Sequence, residues 1–263
     1  MYSKKFCILE QEEVIPGHRL MCLDAPEVAA RAVPGQFLHV RCGDGHDPLL
    51  RRPLSIHQVN RETGRVYILY RLAGRGTSLL ARLRPGDLLD IMGPLGRGYT
   101  LPEAGESVAV LGGGIGAAPL FFLLSEIKRT TGGVNKVTVF LGASSADTLP
   151  GAEQVRAMGY RLFTATNDGS EGYKGNVIEL AEDVLKNKIL DRVYACGPAP
   201  LLKSLSGMVA AGVRVEVSAE ERMGCGVGAC LSCICKVRGE GPEGYSYAHV
   251  CKDGPVFNLR DLY

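Results

Sequence analysis

The chain has 263 residues, 46% of them hydrophobic and 22% charged, with a net charge of +2. These are ordinary globular values, and glycine plus proline at about 18% stays below the range of disordered or collagen-like chains. Lys and Arg occur scattered, in groups of two or three at most, so a nucleic-acid partner is not expected. Nine cysteines is an odd number, four of them lie between Cys225 and Cys235, and no signal-peptide core follows Lys4-Lys5. That usage points to a metal site in the reducing cytoplasm rather than to a disulfide framework.

In chain order, residues 1–102 read as an antiparallel β-barrel. Short β-type runs at 36–41, 65–70 and 87–92 are punctuated by Pro34-Gly35, Thr63-Gly64 and Pro85-Gly86. From 103 to 218 strands alternate with helices. Strands are expected at 108–111, 136–141, 160–165 and 192–196, and helices at 117–129, 177–186 and 200–211. That alternation predicts an α/β unit with a parallel, doubly wound sheet. The uncharged stretch 107–125 is long enough to span a membrane, but Gly112, Gly113, Gly114, Gly116 and Pro119 interrupt it. It reads as strand, glycine turn and buried helix, and no membrane association is expected. Residues 219–263 form a small third unit rich in Cys and Gly.

The third unit carries the most specific signal. Cys225, Cys230 and Cys233 are separated by four and two residues, and Cys251 follows after seventeen more. This order is the plant-type spacing for a [2Fe–2S] cluster, with Gly224, Gly226 and Gly228 allowing tight turns around it. The rival is a structural Cys₄ zinc site, which usually takes two well-separated pairs. Cys235, two residues past Cys233 on an expected strand, reads as a small buried side chain.

Two further points look nucleotide-like. Gly112, Gly114 and Ala117 fit G-x-G-x-x-A between a strand and a helix, with Gly116 in the same turn. Cys196-Gly197-Pro198 ends a later strand, where parallel sheets gather ligands. No cation stands in 142–147, which favours NADH over NADPH. In the barrel half, Arg51-Arg52-Pro53-Leu54-Ser55-Ile56 offers a guanidinium for a diphosphate and a hydroxyl beside a flat ring. Leu69-Tyr70-Arg71 follows, and then Gly76-Thr77 at a helix start. Read singly, the Arg-Pro-x-Ser run and the Cys-Gly-Pro turn are as easily a strand edge and a strand-ending turn.

Together these motifs, with Gly93-Pro94-Leu95-Gly96 closing the barrel, resemble the ferredoxin–NADP reductase superfamily, except that Leu54 stands where its flavin motif has Tyr. More narrowly, 47–56, 221–230 and 250–257 resemble the family of electron transfer subunits of class B dihydroorotate dehydrogenase. The resemblance implies FAD at Arg52, Pro53, Leu54, Ser55, Leu69, Tyr70, Arg71, Gly76 and Thr77. It implies cluster ligation by Cys225, Cys230, Cys233 and Cys251, while the two turns read above put NAD at Gly112, Gly114, Gly116, Cys196, Gly197 and Pro198. The implied partner is an FMN-containing catalytic subunit that oxidises dihydroorotate to orotate in de novo pyrimidine (UMP) biosynthesis, in a heterotetramer of two plus two. The electron path then runs from FMN to cluster to FAD to NAD⁺, since a flavin handles both one and two electrons. The chain itself carries no catalytic acid–base pair for that oxidation, and Val227 and Leu231 are the expected core of the partner contact. Two alternatives stand: the small subunit of a ferredoxin-dependent NADH/NADPH transhydrogenase or sulfide dehydrogenase, and a non-redox, zinc-stabilised nucleotide-binding module.

Overall fold

Alternation of apolar and polar side chains over 2–95 builds the first sheet of the computed structural model, which describes every residue except Asp44, His46, Glu240, Pro242 and Tyr263. Its strands are β1 (Tyr2–Ile15), β2 (His18–Asp24), β3 (Phe37–Val40), β4 (Arg52–Ser55), β5 (Gln58–Asn60), β6 (Arg65–Arg71) and β7 (Leu88–Leu95). The order is β4-β3-β7-β1-β2-β6-β5, with every neighbouring pair antiparallel. The sheet curls until edge strand β4 lies against β6. Helices α1 (Pro26–Arg31) and α2 (Arg75–Leu80) bridge its strands. In β3 all four residues are buried, because both faces are covered. Leu38 and Val40 enter the barrel core with Ile8, Leu23 and Ile68, while Phe37 and His39 point the other way, at period two.

The second sheet combines β8 (Val108–Gly113), β9 (Val137–Ala143), β10 (Arg161–Thr166), β11 (Tyr173–Lys174), β12 (Arg192–Cys196) and β13 (Arg214–Ser218). All of these pair in parallel, in the order β11-β10-β9-β8-β12-β13. The connecting helices are α3 (Ala118–Thr131), α4 (Ala152–Ala157), α5 (Val177–Leu185), α6 (Ala199–Ser204) and α7 (Ser206–Ala210). The single helix expected over 200–211 is therefore two short ones. The Ser204 and Ser206 hydroxyls bond back to the carbonyls of Leu201 and Lys203, both at 2.7 Å, competing with helix continuation at the break. The strand β13 lies outside the sequence expectations, although its Val215 and Val217 alternate into the core. Among the described residues no helix is long and apolar enough to cross a membrane.

The tail forms a hairpin, β14 (Ile234–Arg238) with β15 (Tyr245–His249), then β16 (Val256–Asn258) and the short α8 (Leu259–Leu262). Strand β16 pairs antiparallel with β13, so the chain's last strand finishes the second sheet. The tail's own apolar cluster is completed by the barrel: Met223, Cys233, Val250 and Cys251 pack with Phe37 and Leu95. Barrel and second sheet also interlock through α3. Phe122 of that helix sits in the barrel core, Arg61 reaches Glu126 at 2.7 Å, and His57 Nδ1 lies 2.9 Å from the Ala118 carbonyl.

Candidate functional site

An open cleft of about 320 Å³ lies where β4 and β6 of the barrel face the C-terminal ends of β8 and β12. Its barrel wall includes Arg52, Pro53, Leu54, Ser55, Leu69, Tyr70, Arg71 and Thr77. The two arginines of the run have separate duties. Arg51 is spent on the outer face of β7, with Nη2 on Asp90 Oδ1 at 2.9 Å and Nη1 on the Asp90 carbonyl at 3.0 Å. Among the described residues Arg52 holds the Leu50 and Arg51 carbonyls, at 2.7 and 3.3 Å, and no carboxylate, so its charge is left for the cleft. Gly76 lies under that guanidinium rather than on the cleft wall: a Cβ there would sit 3.0 Å from Arg52 Nε. The Thr77 hydroxyl is occupied by the Ala73 and Gly74 amides at 2.9 and 3.2 Å, closing the first turn of α2. Tyr70 is buried and donates to Gln11 Oε1 at 2.8 Å; burial pushes its phenol up to about 12.

The opposite wall is the point where the strand order reverses. The chain runs outward from β8 through β9 to β11, then returns to place β12 on the other side of β8. Ligands of open parallel sheets bind in the crevice at such a switch. The glycine turn and the Cys-Gly-Pro turn meet there. A Cβ on Gly116 would lie 2.7 Å from Gly197 Cα and 2.8 Å from the Cys196 carbonyl, while Gly113 packs on Pro198. Gly112 is still in strand β8, packed so tightly on Ala117 that a Cβ would sit 2.9 Å from that residue's own. Gly114 takes a left-handed φ of 54° at the start of a short 3₁₀ turn into α3. Of these, Gly116 and Cys196 reach the cleft itself, whereas Gly112, Gly114, Gly197 and Pro198 shape the turns behind it. Burial pushes the Cys196 thiol up to about 12, so it faces the cleft as S–H at neutral pH.

Several cleft residues escaped the sequence reading: Phe37, Ile115, Pro119, the 218–221 segment, Met223 and Pro255. The available signal was position. Residues 218–223 leave the C-terminal end of β13, beside the switch point, and lead directly into the cysteine loop.

In that loop backbone amides converge on sulfur. Cys225 Sγ accepts from Val227 and Ala229 at 3.4 and 3.2 Å, Cys230 Sγ from Cys225 N at 3.3 Å, and Cys251 Sγ from Gly228 N at 3.1 Å. Gly226 and Gly228 are left-handed at φ 75° and 81°, which turns those amides inward. Burial raises the Cys225 thiol, but its amide donors outweigh that and leave it below the ordinary value. The Ser232 hydroxyl at 3.1 Å leads the amides in bringing Cys230 down to about 6. Cys251 goes the other way, to about 12, through burial and the neighbouring Cys233. The four thiols thus fall into two facing pairs, Cys225 with Cys230 and Cys233 with Cys251. Two thiol pairs, with amide donors to Cys225, Cys230 and Cys251, suit the two-iron cluster that the spacing predicts. Cys235 lies on β14 opposite Ala248 and packs against the cluster that holds Cys233 and Cys251, its thiol raised first by burial.

The family model for the iron–sulfur cluster binding domain of dihydroorotate dehydrogenase B matches residues 220–263, and that for the oxidoreductase FAD-binding domain matches 5–99. The dihydroorotate dehydrogenase B (NAD(+)) electron transfer subunit of Desulforamulus reducens is 49% identical over 245 residues, covering 93% of this chain and 92% of that one. The chain belongs to this electron transfer subunit family. The subunit of the same name from Geobacillus thermodenitrificans is 41% identical over 261 residues, 98% of each chain. Among solved structures, a chain of the NADH-dependent reduced ferredoxin–NADP oxidoreductase superposes with a TM-score of 0.82 at 26% identity, covering 98% of this electron transfer subunit and 89% of that chain. A ferredoxin NADP⁺ reductase from Neisseria gonorrhoeae, at 20% identity and a TM-score of 0.64, covers 80% and 92% respectively and shares the fold. The transhydrogenase alternative therefore matches in architecture but yields on identity, 26% against 49%. This electron transfer subunit is an oxidoreductase component with an FAD-binding domain and an iron–sulfur domain.

Proposed function

We propose that this subunit passes electrons from dihydroorotate, oxidised to orotate on an FMN-containing catalytic subunit, to NAD⁺ in de novo pyrimidine biosynthesis. The observation that carries the reading is Phe37, which lines the cleft and also packs with Cys233 and Cys251. One side chain of the barrel thus separates the flavin cleft from the cysteine loop. When bound, a [2Fe–2S] cluster supplies one-electron transfer, and FAD converts single electrons into hydride for NAD⁺.

The chain's residues bind and orient. Arg52 neutralises the FAD diphosphate, Ser55 and Tyr70 flank the ring system, and Leu54 gives an apolar contact there. Leu69, Arg71 and Thr77 complete that wall, and Gly76 supports Arg52 from beneath. Gly112, Gly114 and Gly116, with Cys196, Gly197 and Pro198, receive the nicotinamide nucleotide at the switch point. Cys225, Cys230, Cys233 and Cys251 hold the cluster. The working units are residues 1–102, 103–218 and 219–263, in a cytoplasmic heterotetramer of two plus two. The partner covers the cysteine loop, whose Val227 and Leu231 are 40% and 59% exposed, with Ile234 and Tyr247 of the adjoining hairpin also open.

Reconstitution tests this. The isolated subunit, loaded with flavin and iron, is expected to oxidise NADH with artificial acceptors but to reduce no NAD⁺ from dihydroorotate until the FMN subunit is added. Dihydroorotate turnover by this chain alone would overturn the reading.

A further inference from the structure

The strand that presents Phe37 to the tail also presents His39, a residue the function above leaves without a role. His39 is 1% exposed and lies in register between Pro53 of β4 and Met92 of β7. Its ring shares a face of β3 with that of Phe37, and the two meet edge to face at 6.5 Å. Gly226, inside the Cys225–Cys230 loop, lies directly on the ring. A Cβ there would be 2.6 Å from Nδ1 and 3.1 Å from Cγ. The backbone of His39 is served by Arg51, whose Nη1 reaches its carbonyl at 3.3 Å; neither ring nitrogen closes a well-formed hydrogen bond, and the polar groups within its reach are the backbones of Cys225 and Arg51. A buried imidazole always carries at least one N–H, and leaving such a donor unsatisfied is costly enough that native cores rarely do so. The side open to an acceptor is that of the loop, where the Cys225 backbone already stands, because β4 and β7 flank β3 on its two edges.

We infer that His39 is a positioning residue for the iron–sulfur site: its ring seats the Cys225–Cys230 loop on the flavin barrel and lends an N–H to the anionic sulfur set which that loop encloses. The inference rests on the ligand assignment proposed above. It also gives a reason for glycine at 226, since any side chain there would displace the ring. Donors to cluster sulfur stabilise the more negative, reduced form and so raise the reduction potential.

The test uses the full chain purified with flavin and iron, read by redox titration and by the electron paramagnetic resonance spectrum of the reduced cluster. His39→Leu is expected to lower the cluster midpoint potential and alter that spectrum at unchanged FAD content, while His39→Gln, which retains an N–H donor, stays nearer wild type. Full iron loading with an unchanged potential and spectrum in His39→Leu would overturn the inference, as would a Gln variant displaced as far as the Leu one. If His39→Leu fails to assemble, Gly226→Ala keeps the histidine but pushes it aside, and must move both signals in the same direction; unmoved signals there overturn the inference as well. Iron retained in full by Cys230→Ser would overturn the ligand assignment instead, which separates the two failures.

Discussion

Gly116→Ala tests whether the glycine turn and the Cys-Gly-Pro turn form one nicotinamide site. The added methyl would meet Gly197 Cα at 2.7 Å, with the Cys196 carbonyl and Gly197 N both at 2.8 Å. All three are backbone atoms of the last residue of β12 and the glycine after it, so no side chain can swing away. Ordinary carbon contacts need about 3.5–4.0 Å, so the turns must part by roughly 1 Å. Overpacking of this kind costs about 1–3 kcal/mol, and it falls where the two turns jointly wall the cleft. If about 1.4 kcal/mol of it appears in nucleotide binding, the KM for NADH with a dye acceptor rises about tenfold. The control is Gly132→Ala, at the left-handed C-cap of α3, where φ is 60° and the added methyl meets open space. That change carries only the left-handed backbone penalty of about 1 kcal/mol and leaves the KM alone. Steady-state kinetics and thermal melts on both variants decide the matter. A Gly116→Ala protein with wild-type KM, or a Gly132→Ala protein with an equally raised one, would refute the reasoning.

Three other outcomes are expected. Cys230→Ser removes the iron absorbance and stops transfer from the catalytic partner, yet keeps FAD-dependent NADH oxidation by dyes; an equal loss from Cys235→Ser would mean the wrong four ligands are assigned. Arg52→Ala loses a charge-assisted contact of about 1.5–3 kcal/mol, so FAD dissociates roughly tenfold to a hundredfold more readily, measured as retention on gel filtration. Acid stability reports on His57, whose burial holds it at about 4 against an ordinary 6.5. Between those values the unfolded chain takes up a proton that the folded one refuses, so stability falls as pH drops from 6.5 to 4 and this contribution stays flat below. It amounts to about 3 kcal/mol, and denaturant melts of His57→Asn should lose that much less over the same interval.

Much of this was legible because the signals were local. The strand expected at 192–196 is β12 residue for residue, since an unbroken apolar run before Gly197-Pro198 fixes both its type and its end. The cysteine spacing and the Arg-Pro-x-Ser run needed no tertiary knowledge either. What stayed hidden depends on contacts between distant segments. Nothing near Arg51 distinguishes it from Arg52; Asp90, on β7, is what removes one of them from the cleft. Phe37 looks like an ordinary barrel residue until the tail arrives to cover its face of β3. Strand β16 is only three residues long, and it exists because the open edge of β13 accepts it.

The tail's dependence on the barrel has a consequence for the direction of electron entry. A two-stranded hairpin such as β14–β15 is at best marginally stable alone, and the apolar cluster under it borrows Phe37 and Leu95 from the barrel. The second anchor is the β16 pairing with β13, and the third is the Arg97 amide on the Gly254 carbonyl at the barrel's end. These anchors bury Cys233 and Cys251, each 2% exposed, in the shared core, and leave Cys230 open to solvent. The two thiol pairs are therefore inequivalent. On the proposed reading, the Cys233–Cys251 pair faces the flavin barrel through Phe37, and the Cys225–Cys230 pair faces outward beside the exposed Val227 and Leu231. An external donor meets the outer pair first. A covered path inward leads past the inner pair and Phe37 toward the cleft, so the asymmetry that folding imposes on the tail puts one thiol pair on the partner's side and the other on the cleft's side.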